Sequence, residues 1–224
     1  VIAALLAPLL AVLALQAPAD EGALVIRADS AELARESFRL AALPAAAGGG
    51  WTLAATARYA ASRPIVVLDA IVSLGPDSAP TSLEYTVADP REPRRILGQL
   101  ARGRFTIRTL GRKSEHAREF PAPAPVVVLD DSVFALYLPA AWHARPRPIA
   151  VTAIFPRAGR RELLTVQDLG TQPTTLNRDP AALRHISVSG GANREVHVWL
   201  WPDGRLAKVE VPSRGIAAER APGP

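Results

Sequence analysis

From Leu24 onward the chain alternates apolar and polar residues with period two, or runs on in short apolar blocks, and Gly, Pro, Asp and Asn punctuate the runs. LVIRAD, RESFRLAAL, WTLAATARY, RPIVVLDAIVSL, TSLEYTVAD, RRILGQLA, RFTIRTL, APVVVLD, PIAVTAIF, ELLTVQDL, RHISVSG, EVHVWLW and RLAKVEV all read as strands. So many strands in one flat open sheet would leave an apolar face in water. The pattern therefore predicts a mainly β protein: a strongly curved antiparallel sheet or incomplete barrel. No repeat period emerges, which argues against a propeller or solenoid. One segment departs from the alternation. In DDSVFALYLPAAW, Asp131 or Ser132 can cap a helix whose Val133, Leu136 and Tyr137 share a face, and Pro139 limits its length. The expectation is a short helix over Asp131 to Leu138, packed across the concave mouth of the sheet. EFPAPAP reads as an extended stiff connector and ERAPGP as a disordered tail.

Register follows from the alternation, because a one-residue slip exchanges the faces of a strand. A two-residue turn at Arg102-Gly103 sets Leu100 opposite Phe105, Gly98 opposite Ile107 and Ile96 opposite Thr109, with Arg104 and Arg108 on the other face. Farther on, Val196, Val198 and Leu200 share one face. Glu195, His197, Trp199 and Trp201 share the other. Pairing through Asp203-Gly204 puts Val211, Val209 and Ala207 beside the valines and Glu210, Lys208 and Leu206 beside the tryptophans. Pro202 also admits a Gly bulge that shifts the partner strand by one. Upstream, Ile186 and Val188 continue the valine face if the SGGAN connection is of odd length, which places His185, Ser187 and Ser189 with His197.

Composition adds location and charge. VIAALLAPLLAVLALQAPAD is uncharged through Ala19, is short and Pro-interrupted for a membrane span, and ends in a small-x-small site. Residues 1–19 are expected to be a secretory signal peptide, residues 20–219 a single β domain and residues 220–224 a disordered tail, in a periplasmic or secreted protein. With no Cys in the chain, neither a disulfide nor a thioether-linked lipid is available to it. The formal net charge is +5, and nearly every cation is Arg. Many lie between Arg91 and Glu119, where the first reading is a solvated polar strand face; as a partner, an anionic headgroup or envelope polymer suits an exported protein better than nucleic acid.

Candidate chemistry is sparse. His185 and His197 on adjacent strands supply two of the three or four ligands that a metal requires, so no metal or cofactor is implied. No nucleophile stands near a base in the pattern, SVSGG lacks the nucleophile elbow, and Gly48-Gly49-Gly50 precedes a strand where a phosphate cradle opens a helix. Two neighbouring tryptophans on an amphipathic face are large to leave in water, so that side is expected either to be covered by the helix or to line a ligand cavity.

The ESFRL strand, the Gly-rich turn into WTLAATARY, the hairpin ILGQLARGRFTIRTLG, the short helix DDSVFALYL and the closing VWLWPDGRLAKVEVP together resemble periplasmic families related to the LolA/LolB lipoprotein-carrier superfamily. The resemblance is architectural and spans most of residues 20–219. It implies an incomplete barrel around a hydrophobic cavity that receives acyl chains. This chain departs from it in lacking a Cys for lipidation and in having one convincing helix. The resulting expectation is a monomeric periplasmic binding or carrier protein for a lipid or other hydrophobic small molecule. Trp199, Trp201, His197, His185, Leu136 and Tyr137 would face the ligand, and Arg104 and Arg108 would orient an anionic head. The alternatives are an envelope structural or interaction protein whose concave face is filled by its own side chains, and an unrecognised hydrolase.

Overall fold

A computed structural model describes residues 19–191 and 194–222; apart from Ala19, the expected leader lies outside the described residues. Fifteen strands follow in chain order: β1 (Asp20–Ala28), β2 (Ala31–Ala42), β3 (Trp51–Tyr59), β4 (Val66–Leu74), β5 (Pro80–Ala88), β6 (Arg94–Ala101), β7 (Arg104–Gly111), β8 (Glu115–Pro121), β9 (Val126–Val128), β10 (Ile149–Phe155), β11 (Arg160–Leu176), β12 (Asp179–Gly190), β13 (Arg194–Leu200), β14 (Leu206–Val211) and β15 (Ile216–Arg220). They form one sheet in the order β8-β7-β6-β5-β4-β3-β2-β1-β15-β14-β13-β12-β11-β10-β9. Every pair is antiparallel except β9 with β10, a correction to the expected all-antiparallel sheet.

The sheet curls without closing. Side chain to backbone bonds link edge strand β8 to the β10–β11 hairpin on the other side: Arg118 Nη1 donates to Gly159 O at 2.8 Å and Arg161 Nη1 to Pro121 O at 3.2 Å. Residues 122–125, Ala-Pro-Ala-Pro, carry the chain across the gap, where prolines have no amide to offer a ladder. The inner face holds the core. Leu24, Leu53, Tyr85, Ile96 and Phe105 from the walls are each under 2 % exposed, as are Phe134, Leu136 and Leu138 from the segment lodged among them.

That segment is a 3-10 turn at Phe134–Leu136 continuing into α1 (Tyr137–Trp142). It starts three residues after the expected Asp131 and runs past Leu138 to Trp142, and its cap is neither Asp131 nor Ser132. The amides of Phe134 and Ala135 donate to the two oxygens of Glu36, a fully buried residue of β2, at 2.7 and 2.8 Å. Asp131 instead engages arginines. Pro139 stands in the first turn of α1, where no amide is needed, so it opens the helix and does not end it.

The registers at Arg102-Gly103 and between β12 and β13 are those the alternation predicts, with Leu100 opposite Phe105 and Ile186 opposite Val198. Between β13 and β14 the pairing holds for His197 with Glu210 and Trp199 with Lys208, then shifts at a bulge so that Leu206 faces Leu200. The bulge exchanges two side chains: Leu206 joins the inner core and Ala207 goes to the outer face. The tail is a further correction. Arg220 belongs to β15 and Ala221 N donates to Ala23 O at 2.8 Å, so residues 220 and 221 are tied to the sheet.

The outer face is mostly polar, with one covered region. Beyond a bulge at Asp168/Thr171, β11 and β12 continue as a hairpin that turns at Asn177-Arg178, both in the left-handed region at φ 52° and 75°. This hairpin folds over β13, β14 and β15. Its Leu176 and Ala181 pack on a small cluster of Leu183, Trp199, Ala207 and Trp201.

Candidate functional site

The expected site residues fall in three separate places. Trp199, Trp201, His185 and His197 lie on the outer face, under or beside the hairpin, and neither the helix nor a cavity of the inner face touches them. His185 is stacked on Trp199 at 4.0 Å between ring centroids. Its Nδ1 meets Gln172 Oε1 at 2.7 Å and its Nε2 meets His197 Nδ1 at 2.8 Å. The facing ring nitrogens bond each other, and among the described residues no group of three or more His, Cys, Asp or Glu is placed to hold a metal. Trp199 Nε1 donates to Glu210, whose other oxygen pairs with buried Lys208 at 2.8 Å. Burial, followed by the charge of His197, lowers the pKa of His185. These groups fasten the hairpin.

Arg104 and Arg108 stand on the exposed face of β7 and pair across to Glu119 and Glu115 of β8. They are a solvated ion-pair ladder. Leu136 is buried in the inner core. Trp201 lines a cavity of about 730 Å³ beside Phe38, Asn177, Arg205 and Arg220, and Tyr137 reaches a different one, rich in arginine.

That cavity, of about 630 Å³, opens at the end of the sheet where the helical segment starts. Three turns supply its walls. In the β10–β11 turn, Gly159 at φ 60° reverses the chain and carries Arg157 and Arg160. Arg194 opens β13. Arg214 ends a 3-10 turn, Pro212–Arg214, that Gly215 closes at φ 59°. Asp130, Asp131 and Ser132 come from the lead-in to the helix.

Arg157 grips Asp130 with Nε at 2.9 Å and Nη2 at 3.0 Å, and Nη2 also reaches Ser132 Oγ at 2.8 Å. Arg194 bonds Asp131 at 2.6 Å and Glu162 at 3.0 Å; Arg160 takes the remaining oxygens of the same two carboxylates at 3.1 and 2.7 Å. Both guanidinium groups lie over the Phe155 ring, 4.6 and 4.5 Å from its centroid. Burial opposes ionisation of Asp131, but the hydrogen bond from Arg194 and the charges of Arg194, Arg160 and Arg214 outweigh it and lower its pKa. Burial raises the pKa of the Tyr137 hydroxyl, with the Asp131 charge adding to it, and the hydroxyl stands 3.5 Å from Arg194 Nη1. At this end Ser132 meets a guanidinium, not a base, so the chemistry on offer is recognition of charge.

Arg157, Arg160, Arg194 and Arg214 belong to three turns far apart in the chain, so no alternation singles them out. The available signal is an Arg beside Pro or Gly in two of the turns, in PRAGR and PSRG, off the strand alternation. Comparison with models of protein families, with curated proteins and with solved structures finds no match.

Proposed function

We propose that the protein is a binding or carrier module for an amphiphile, exported to the periplasm, in which the internal helix occupies the place an apolar chain takes in the loaded form. The observation that carries this reading is the lodging of residues 134–142 in the trough. They enter no strand ladder, and polar bonds hold their start: the amides of Phe134 and Ala135 donate to Glu36, and Tyr59 Oη donates to Ser132 O at 2.8 Å. A segment that fills an apolar trough without joining the sheet is exchangeable for another apolar body, at roughly 25 cal/mol per Å² for either occupant. The unpaired gap between β8 and β9 supports the same reading, since widening it breaks no ladder.

One observation favours a second reading, a scaffold filled by its own side chains. Walls of an empty cavity keep surface that water can reach, yet the largest inner side chains are under 2 % exposed. Two of the four tryptophans separate the readings: Trp142 at the end of α1 lies 5.8 Å from Trp51 of β3, ring to ring. Addition of a fatty acid or lysophospholipid should shift the emission of a Trp199→Phe/Trp201→Phe variant, and mass spectrometry of the purified protein should find a co-extracted lipid. No lipid and no shift would leave the filled scaffold. N-terminal sequencing of the exported chain should begin near Asp20; a retained Val1 would remove the periplasmic part of the proposal.

A further inference from the structure

We infer that the arginine cavity binds a phosphate-class oxyanion, carried either by a soluble phosphate ester or by the headgroup of an amphiphile. The inference stands apart from the lodging of a chain in the trough, because it uses only the turn end of the sheet.

Charge is the first ground. Four guanidinium groups, of Arg157, Arg160, Arg194 and Arg214, line the cavity against the two carboxylates of Asp131 and Glu162. Even with Asp130 counted behind Arg157, the cations are in excess. A cluster serving only as a brace needs no such excess, and like charges brought together cost free energy until an anion enters.

Unused donors are the second ground. Among the described residues, Arg214 is exposed and makes one hydrogen bond, to the backbone oxygen of Asp131 at 2.9 Å. Arg160 also lines the cavity, with its side chain 42 % exposed. Ser213 and Tyr137 add hydroxyls to the wall.

Preorganisation is the third. Arg160 and Arg194 are clamped between Phe155 and the carboxylates, so little side-chain entropy remains to be lost on binding. The donors arrive from the β10–β11 turn, the start of β13 and the 212–214 turn, on different sides of the opening. Oxygens that point in several directions suit that arrangement better than a planar carboxylate, and Arg forks match phosphate edges.

Inorganic phosphate titrated into the full chain at constant ionic strength, chloride replacing it in the control, is the direct test. Saturable binding is expected, with a rise in the unfolding midpoint over the chloride control. Arg214→Ala should weaken it about tenfold, the loss of one charge-assisted bond, without altering the midpoint in chloride. Arg160→Gln should weaken it too. Two further arms identify the source: glycerol phosphate in solution, and phosphatidylcholine vesicles with and without phosphatidylglycerol. Competition by glycerol phosphate alone supports a soluble ester. Co-sedimentation that needs phosphatidylglycerol and Arg214 supports a headgroup. A phosphate response no larger than that of chloride, or one unchanged in both arginine variants, overturns the inference, whatever the trough does with lipid.

Discussion

Glu36 accepts two backbone amides at the head of the internal helix, yet burial pushes its pKa up from 4.5 to about 7. The unfolded chain ionises this side chain near 4.5, so the folded form keeps its proton to higher pH. The stability it contributes is therefore complete below 4.5 and lost as pH rises through about 7, a loss of about 3 kcal/mol. His185 acts in the opposite sense. Its pKa is lowered by burial, so its contribution is present above 6.5 and is lost as pH falls. Urea unfolding followed from acid to neutral pH should show the Glu36 slope in the wild type and not in Glu36→Gln, while the His185 slope persists in both; identical profiles would remove Glu36 as the source. Trp199 is a packing residue on the same reasoning. Its ring is sandwiched by His185 and the hairpin, so Trp199→Ala should cost about 3 kcal/mol of stability and leave phosphate binding unchanged, as paired unfolding and titration measurements would reveal.

The hairpin formed by the outer parts of β11 and β12 differs from the rest of the sheet in what holds it. Its satellite core is small, and much of its backbone faces water between Thr171 and Ala182. Hydrogen exchange should therefore be faster at these amides than in β3 to β6, and protection equal to that of the central strands would contradict this account. Its firmest tie is Lys208, whose Nζ bonds Thr175 O at 3.0 Å and pairs with Glu210 and Glu219 at 2.8 and 3.2 Å. Lys208→Met leaves Glu210 without its cation and Glu219 with Arg27 alone, at 3.6 Å, and should destabilise the protein by about 3 kcal/mol in denaturant melts. This element also marks the limit of what alternation reveals. Pro173 and Pro180 interrupt the polar run TQPTTLNRDPAAL, so a hairpin was invisible there, and β8 is almost wholly exposed and carries no apolar period. Where one face is buried, by contrast, the registers of β6 with β7 and β12 with β13 were legible residue by residue. Gly98 in β6 stands opposite Ile107, as the alternation predicts. Its missing side chain is what matters: a Cβ there would lie 2.8 Å from the Phe105 ring and 3.0 Å from Leu83 Cβ. The arginine cavity was not legible at all, because no local period links Arg157, Arg194 and Arg214.

At the scale of the molecule, one sheet and one main core bind the fifteen strands, so the expected unfolding is a single cooperative transition. The order of that sheet has a further consequence. Read from β9 through β15 and then β1 through β8, each strand lies beside the next in a circular reading of the chain. The break in the ladder is at residues 122–125, whereas the first and last strands described, β1 and β15, are paired neighbours with Leu24 opposite Arg220. A rearranged gene that joins residue 222 to residue 19 through a short Gly-Ser linker and starts at Val126 would encode one parallel crossover, from β9 through the helix to β10, and then a meander, each strand folding against the one made just before it. Such a chain also converts the most distant pairing in the sequence into a local one, so it should refold faster than the natural order while giving the same far-ultraviolet spectrum.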